Sequence, residues 1–140
     1  MSQKKIVTAI DGSDHSGKVV DTTIEYAKLL DAKVIFINCH KRFPAIMGQP
    51  YRDKEIADIL SNAEKLVQPY LERLEEKNIP FEVRLMEEPA GTMISDIARI
   101  EKCDLIIMGS RGLTNLASLI VGSVTNRVLQ TAPCSVLVVR

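Results

Sequence analysis

Leu105-Ile-Ile-Met-Gly109-Ser-Arg-Gly112, nine further residues, then Gly122-Ser-Val124 is the stretch whose reading decides the fold. A short apolar run ends at a glycine, as a strand buried on both faces does. A Gly-x-x-Gly turn follows, and a second glycine with a serine opens a segment of helical spacing. Glycines let backbone N–H groups approach an anion closely. The free N–H groups of a helix starting near Gly122 add positive partial charge. Any one of these glycines alone reads as a turn residue; the compound spacing reads as a phosphate cradle. Ser123 is also a candidate N-cap, and its hydroxyl there serves a phosphate equally well.

Working outward, residues 4–10, 33–39, 80–86, 104–109 and 135–139 are short, apolar and often β-branched, the pattern of strands in a parallel sheet. Helical periodicity fills the gaps. Val20, Ile24, Ala27 and Leu30 mark one face of a first helix, and Ile56, Ile59, Ala63, Val67, Tyr70 and Leu74 one face of a second. Ile94, Ile97 and Ala98 mark a third, and Val124, Val128 and Leu129 a fourth. Five strands alternating with four helices predict an α/β fold: a single doubly wound, five-stranded parallel sheet, order 3-2-1-4-5, helices on both faces, Rossmann-like or flavodoxin-like. Ligands of such sheets sit outside the carboxyl ends of the strands where the winding reverses. Strand 1 ends at Asp11 and strand 4 at Gly109, so topology and glycine spacing point to one crevice.

The 140 residues suit one domain, 1–140, with no internal repeat, low-complexity tract or linker. Eighteen basic and eighteen acidic residues cancel, so no global field recruits nucleic acid or an anionic membrane, and any anion site is built locally. No segment reaches membrane-spanning length and the N-terminal apolar run is too short for a signal peptide, which predicts a cytoplasmic protein. Cys39, Cys103 and Cys134 are odd in number and lack CxxC spacing, which fits buried thiols in a reducing compartment and neither a disulfide nor a metal framework. Residues 40–52 and 110–121 are irregular. Each follows a strand's carboxyl end, where a loop covers a ligand or simply connects.

Two look-alike motifs follow strand 1. Gly12-Ser-Asp-His-Ser-Gly17-Lys18 has the spacing of a P-loop, but Val19 stands where a magnesium-binding hydroxyl is needed. An amphipathic helix capped by Ser13 or Ser16 is the better reading. His15-Ser-Gly-Lys18 lacks the second histidine of the His-x-Gly-His of adenylyl transferases, leaving His15 in a loop or first helical turn. His40 is expected to face solvent. The two histidines assemble no triad, so no catalytic residue is assigned.

Val7-Thr-Ala-Ile-Asp11-Gly-Ser-Asp-His-Ser16, Met108-Gly-Ser-Arg-Gly-Leu-Thr114, Gly122-Ser-Val124 and Ala132-Pro-Cys-Ser-Val-Leu-Val-Val139 together resemble the universal stress protein family along the whole chain. The glycine spacing is similar to that of its ATP-binding branch. The resemblance implies a bound adenine nucleotide, ATP or another, with any Mg²⁺ held mainly by the phosphates, and a homodimer. It puts Asp11 on the ribose or the polar edge of the adenosine site, Ala9 beside it, Cys39 offering backbone to adenine, and Met108 near the base. Gly109, Gly112, Gly122, Ser123 and Val124 supply backbone or hydroxyl contacts to ribose and phosphates. Arg111 is the cation left to meet phosphate charge, because Leu113 to Val121 is apolar. Position 9 departs from the proline or valine of many relatives, and a small apolar residue serves there.

These readings combine into a cytoplasmic ATP-binding regulatory or signalling module with an unidentified protein partner and at most slow hydrolysis. An adenine-nucleotide-dependent enzyme and a nucleotide-free interaction protein are the alternatives. The dimer is expected through Ser135 to Val139, an apolar strand at the sheet's edge, with Leu116 to Val121 close by.

Overall fold

The computed structural model describes residues 3–110 and 122–140. Along the chain run β1 (Lys5–Ala9), α1 (Ser16–Leu30), β2 (Lys33–His40), α2 (Tyr51–Glu76), β3 (Phe81–Glu87), α3 (Ala90–Ile100), β4 (Leu105–Gly109), α4 (Ser123–Thr131) and β5 (Ser135–Val139). The five strands form one sheet in the order β3-β2-β1-β4-β5. Every pairing is parallel; β1 sits between β2 (Val7 opposite Ile35) and β4 (Val7 opposite Ile106). This is the doubly wound α/β architecture expected from the alternation.

The reason lies in the strands' continuous apolar runs. Ile6, Val7, Val34 to Ile37, Ile106 and Ile107 are at most 1% exposed, which requires cover on both faces. Alternating side chains feed two cores. On one face Ile6, Val34, Phe36 and Ile107 meet Val19, Val20 and Ala27 of α1 and Val67 and Leu74 of α2. On the other Val7, Ile35, Ile37, Ile106 and Met108 meet Ile94, Ile97 and Ala98 of α3 and Val128 of α4. Right-handed crossovers put α1 and α2 on one side and α3 and α4 on the other, opening a crevice between the carboxyl ends of β1 and β4. Thr8 brings a polar group into the core and shares it with Thr23, hydroxyl to hydroxyl at 2.9 Å. No described helix is long and apolar enough to cross a membrane.

Some local expectations are corrected. His40 is not solvent-facing: it ends β2 with 9% exposure, its ring stacked on Phe43 with centroids 5.1 Å apart and its Nδ1 2.9 Å from the Lys41 carbonyl. The chain folds back over the strand end, which composition does not disclose. The last two residues of the irregular segment 40–52 already belong to α2. Neither Ser13 nor Ser16 caps α1. His15 holds the N-cap position without a side-chain bond, and Ser16 Oγ instead accepts the Gly12 N–H at 3.1 Å. Gly122 is the N-cap of α4, making Ser123 its first helical residue. Leu30, Val124 and Leu129, read as marking the apolar faces of their helices, are 38%, 37% and 48% exposed.

Candidate functional site

The β1–α1 turn forms one wall. Gly12 has φ +80°, the left-handed region that favours glycine. A Cβ there would also lie 2.7 Å from a Leu66 methyl of α2. Asp11 Oδ1 accepts the Ser13 N–H at 2.9 Å, an Asx turn that fixes the carboxylate at the mouth of the crevice. Here sequence reasoning undervalued the loop: Ser13, His15, Ser16 and Val19 line the same cavity as Asp11. The P-loop reading fails in space as well as in sequence. Lys18 is exposed on α1 and Val19 is 2% exposed.

The opposite wall is built by the segment that decided the fold. Gly109 ends β4, and its carbonyl accepts the Thr125 hydroxyl at 2.6 Å, tying α4 to the strand end. Ser110 N–H donates to the Val139 carbonyl, and Gly122 N–H to the Ser110 carbonyl, both at 2.8 Å. The Asn126 N–H returns to the Gly122 carbonyl at 2.9 Å. The N–H groups of residues 123 to 125 therefore precede the intrahelical ladder, and no side chain caps them. They carry the positive end of the α4 dipole.

Between the walls lies a cavity of about 240 Å³. Ala9 and Asp11 reach it from β1 and its turn, Cys39 from β2, Met108 and Gly109 from β4, and Gly122, Ser123 and Val124 from the start of α4. Eight of the ten residues singled out from sequence thus converge on one space. Arg111 and Gly112, with the apolar segment Leu113 to Val121, lie outside the described residues. The cavity also takes Ala90 and Ile94 from α3 and Thr125 from α4. Thr125 had a signal, its position directly after Gly-Ser-Val. Ala90 and Ile94 had none, because only the packed fold brings α3 beside β1.

The electrostatics are sparse. Burial first, and then the Glu88 carboxylate, pushes the Cys39 thiol up to about 11, so it behaves as a neutral, apolar wall. Among the described residues Asp11 and His15 are the other titratable lining groups. Among the described residues no group of His, Cys, Asp or Glu is arranged to hold a metal ion. The arrangement offers an apolar slot beside Cys39, Met108 and Ile94, a carboxylate that accepts hydroxyl hydrogen bonds, and a helix N-terminus that accepts an anion. A flat base, a ribose and a phosphate have those three requirements in that combination.

A doubly wound parallel sheet with an anion-ready helix start at its switch point defines the class of protein: a Rossmann-like α/β fold with its ligand crevice at the strands' carboxyl ends. The chain belongs to the universal stress protein family, whose model matches residues 3–140. It is 33% identical over 138 residues, 98% of each chain, to a universal stress protein of Thermus aquaticus described by its place in the QAH/OAS sulfhydrylase 3′ region. Among solved structures it is similar to the hypothetical protein MJ0577, with TM-score 0.86 and 24% identity over 99% of this chain and 96% of that one. A universal stress protein in complex with cAMP gives TM-score 0.74 and 23% identity, covering 100% and 98%. An Arabidopsis thaliana family member with AMP bound gives 0.70 and 15%, covering 97% and 90%.

Proposed function

We propose that this protein binds an adenine nucleotide, ATP in the first instance, in the crevice between β1 and β4, and works as a regulatory module in the manner of the ATP-binding branch of its family. The observation that carries this reading is the convergence of Asp11, Cys39, Met108, Gly109, Gly122, Ser123 and Val124 on one cavity. The base lies against Met108 and the Cys39 backbone, Asp11 accepts ribose hydroxyls, and the phosphates meet the uncapped N–H groups of α4. Neighbours of the same fold with cAMP and AMP bound support the adenine assignment. Mg²⁺ stays mainly on the phosphates. With no general base assigned among the described residues, we read hydrolysis as slow and occupancy, not turnover, as the signal passed to a protein partner. Three unpaired thiols accord with a cytoplasmic setting, and β5 pairs with its copy in a homodimer.

Two measurements test the reading. Protein purified without added nucleotide, then denatured, releases an adenine nucleotide identifiable by chromatography and mass. Gly122→Val removes ATP binding in calorimetry while circular dichroism stays that of the parent. Gly122 has φ −60° and ψ 155°, which valine adopts, at a cost of about 1 kcal/mol as a poorer cap. Its branched side chain stands where backbone meets phosphate. A folded Gly122→Val protein with parental ATP affinity refutes the cradle. Asp11→Ala weakens binding by about 1.5–3 kcal/mol, the worth of a hydrogen bond to a charged group, and Lys18→Ala leaves it unchanged.

A further inference from the structure

The two helices that wall the crevice on one side, α3 and α4, run parallel and meet along a seam with a four-residue step. At its first contact, nearest the crevice, a Cβ built on Gly91 would lie 2.8 Å from both Cβ and Cγ of Arg127 and 3.6 Å from the Val124 carbonyl oxygen. One turn on, the Ser95 and Thr131 hydroxyls share a hydrogen bond of 2.7 Å. A further turn on, Arg99 Nη2 donates to the Thr131 carbonyl at 3.3 Å, closing the end of α4. Glycine weakens a helix relative to alanine, yet Gly91 is the second residue of α3 and buried. What the glycine provides is contact. The atoms a side chain would strike are the root of Arg127, not its mobile end, so the helices would have to part, and α4, with two buried residues against the five of α3, is the less firmly held. Ala90, beside Gly91, lines the cavity, as do Ser123 and Val124, one turn before Arg127.

We infer that Gly91 is a positioning residue for the anion end of the crevice: its missing side chain sets the spacing between α3 and α4, and with it the place of the α4 N-terminus. This rests on the nucleotide reading above. It assigns to a residue outside the cavity lining a control over phosphate affinity that leaves the base end, formed by β1, β2, β4 and the buried Ile94 of α3, untouched.

The test uses the full chain as parent, Gly91→Ala, Arg127→Gly and the double variant, with ATP and adenosine as calorimetric probes and a thermal melt for each protein. Gly91→Ala is expected to lose about tenfold or more in ATP affinity, the scale of one lost hydrogen bond to a charged group. Adenosine affinity changes by less than about threefold, because the base end keeps its geometry. The double variant, in which the space is moved to the other helix, returns ATP affinity to that of Arg127→Gly. A merely structural role would lower both affinities together. Parental ATP affinity in Gly91→Ala, equal losses for ATP and adenosine, or a double variant weaker than Arg127→Gly overturns the inference. Should Gly91→Ala be unfolded at the assay temperature, the comparison of the double variant with Arg127→Gly decides by itself. A parent that binds neither probe overturns the nucleotide reading and this inference with it.

Discussion

The two edges of the sheet carry opposite instructions. β3 carries charged side chains on one face: Glu82 meets Lys33 of β2 at 2.9 Å, and Arg84 meets Glu82 at 3.2 Å and Glu101 of the α3 cap at 2.8 Å. An incoming strand would have to strip these groups of water and partners. β5 has no charge within Ser135–Val139. Leu137 and Val139 pack on the α1–α2 core and Val136 on the α3–α4 core. That is a central strand's composition at an edge. Parity sharpens the contrast. The Val139 carbonyl accepts the Ser110 N–H inside the sheet, so in an extended strand the N–H and C=O of Val138 and Val136 point to the open side. One edge repels a partner and the other is left unfinished.

Val138→Pro has the largest expected effect, because it removes an outward donor and spares the ladder to β4. Sedimentation should show a dimeric parent and a monomeric variant, both with parental circular dichroism. A monomeric parent at micromolar concentration, or an undisturbed dimer in the variant, removes β5 as the interface. Val136→Lys comes next: a charge on the half-buried edge weakens the dimer by about tenfold or more, the order expected when an unpaired charge is brought into an apolar contact. Arg84→Ala acts at the other edge. Its side chain is 34% exposed, so the loss is about 0.5–1 kcal/mol, seen as a fall of roughly 3 °C in Tm.

The smallest effect belongs to Glu82. Hydrogen bonds from Lys33 and then Arg84 hold its carboxyl below the usual range. A depressed folded value means the contribution is complete above the unfolded carboxylate's pKa, about 4.3, and lost as pH falls through the folded value. Glu82→Gln should therefore leave a shallower decline of Tm below about pH 4.5 than the parent shows. Identical declines would remove this pair from the account of the guarded edge.

The sheet was legible because its signals are local. Leu105–Gly109 and Ser135–Val139 declare themselves as apolar runs, and alternation with helices leaves few orders for parallel strands. Gly122 at the α4 start was legible for the same reason. What failed to show depends on distant partners. His40 is buried by Phe43 after the chain turns back, and Ala90 and Ile94 join the crevice only when α3 docks. Gly91 reads as an unremarkable helix residue until Arg127 is laid against it. Cap identity was lost at a finer scale, since Ser16 and Ser123 each sit one position inside the helix they were expected to cap.

The burial of Cys39 also bears on chemistry under oxidising conditions. With burial pushing its thiol up to about 11, Cys39 is overwhelmingly the neutral thiol at pH 7, and the thiolate is the form that peroxides and alkylating agents attack. The Cys39 sulfur is thus a poor nucleophile. A low-pKa cysteine at this position would open the crevice wall to oxidation, whereas Cys39 is held in the form that reacts slowly.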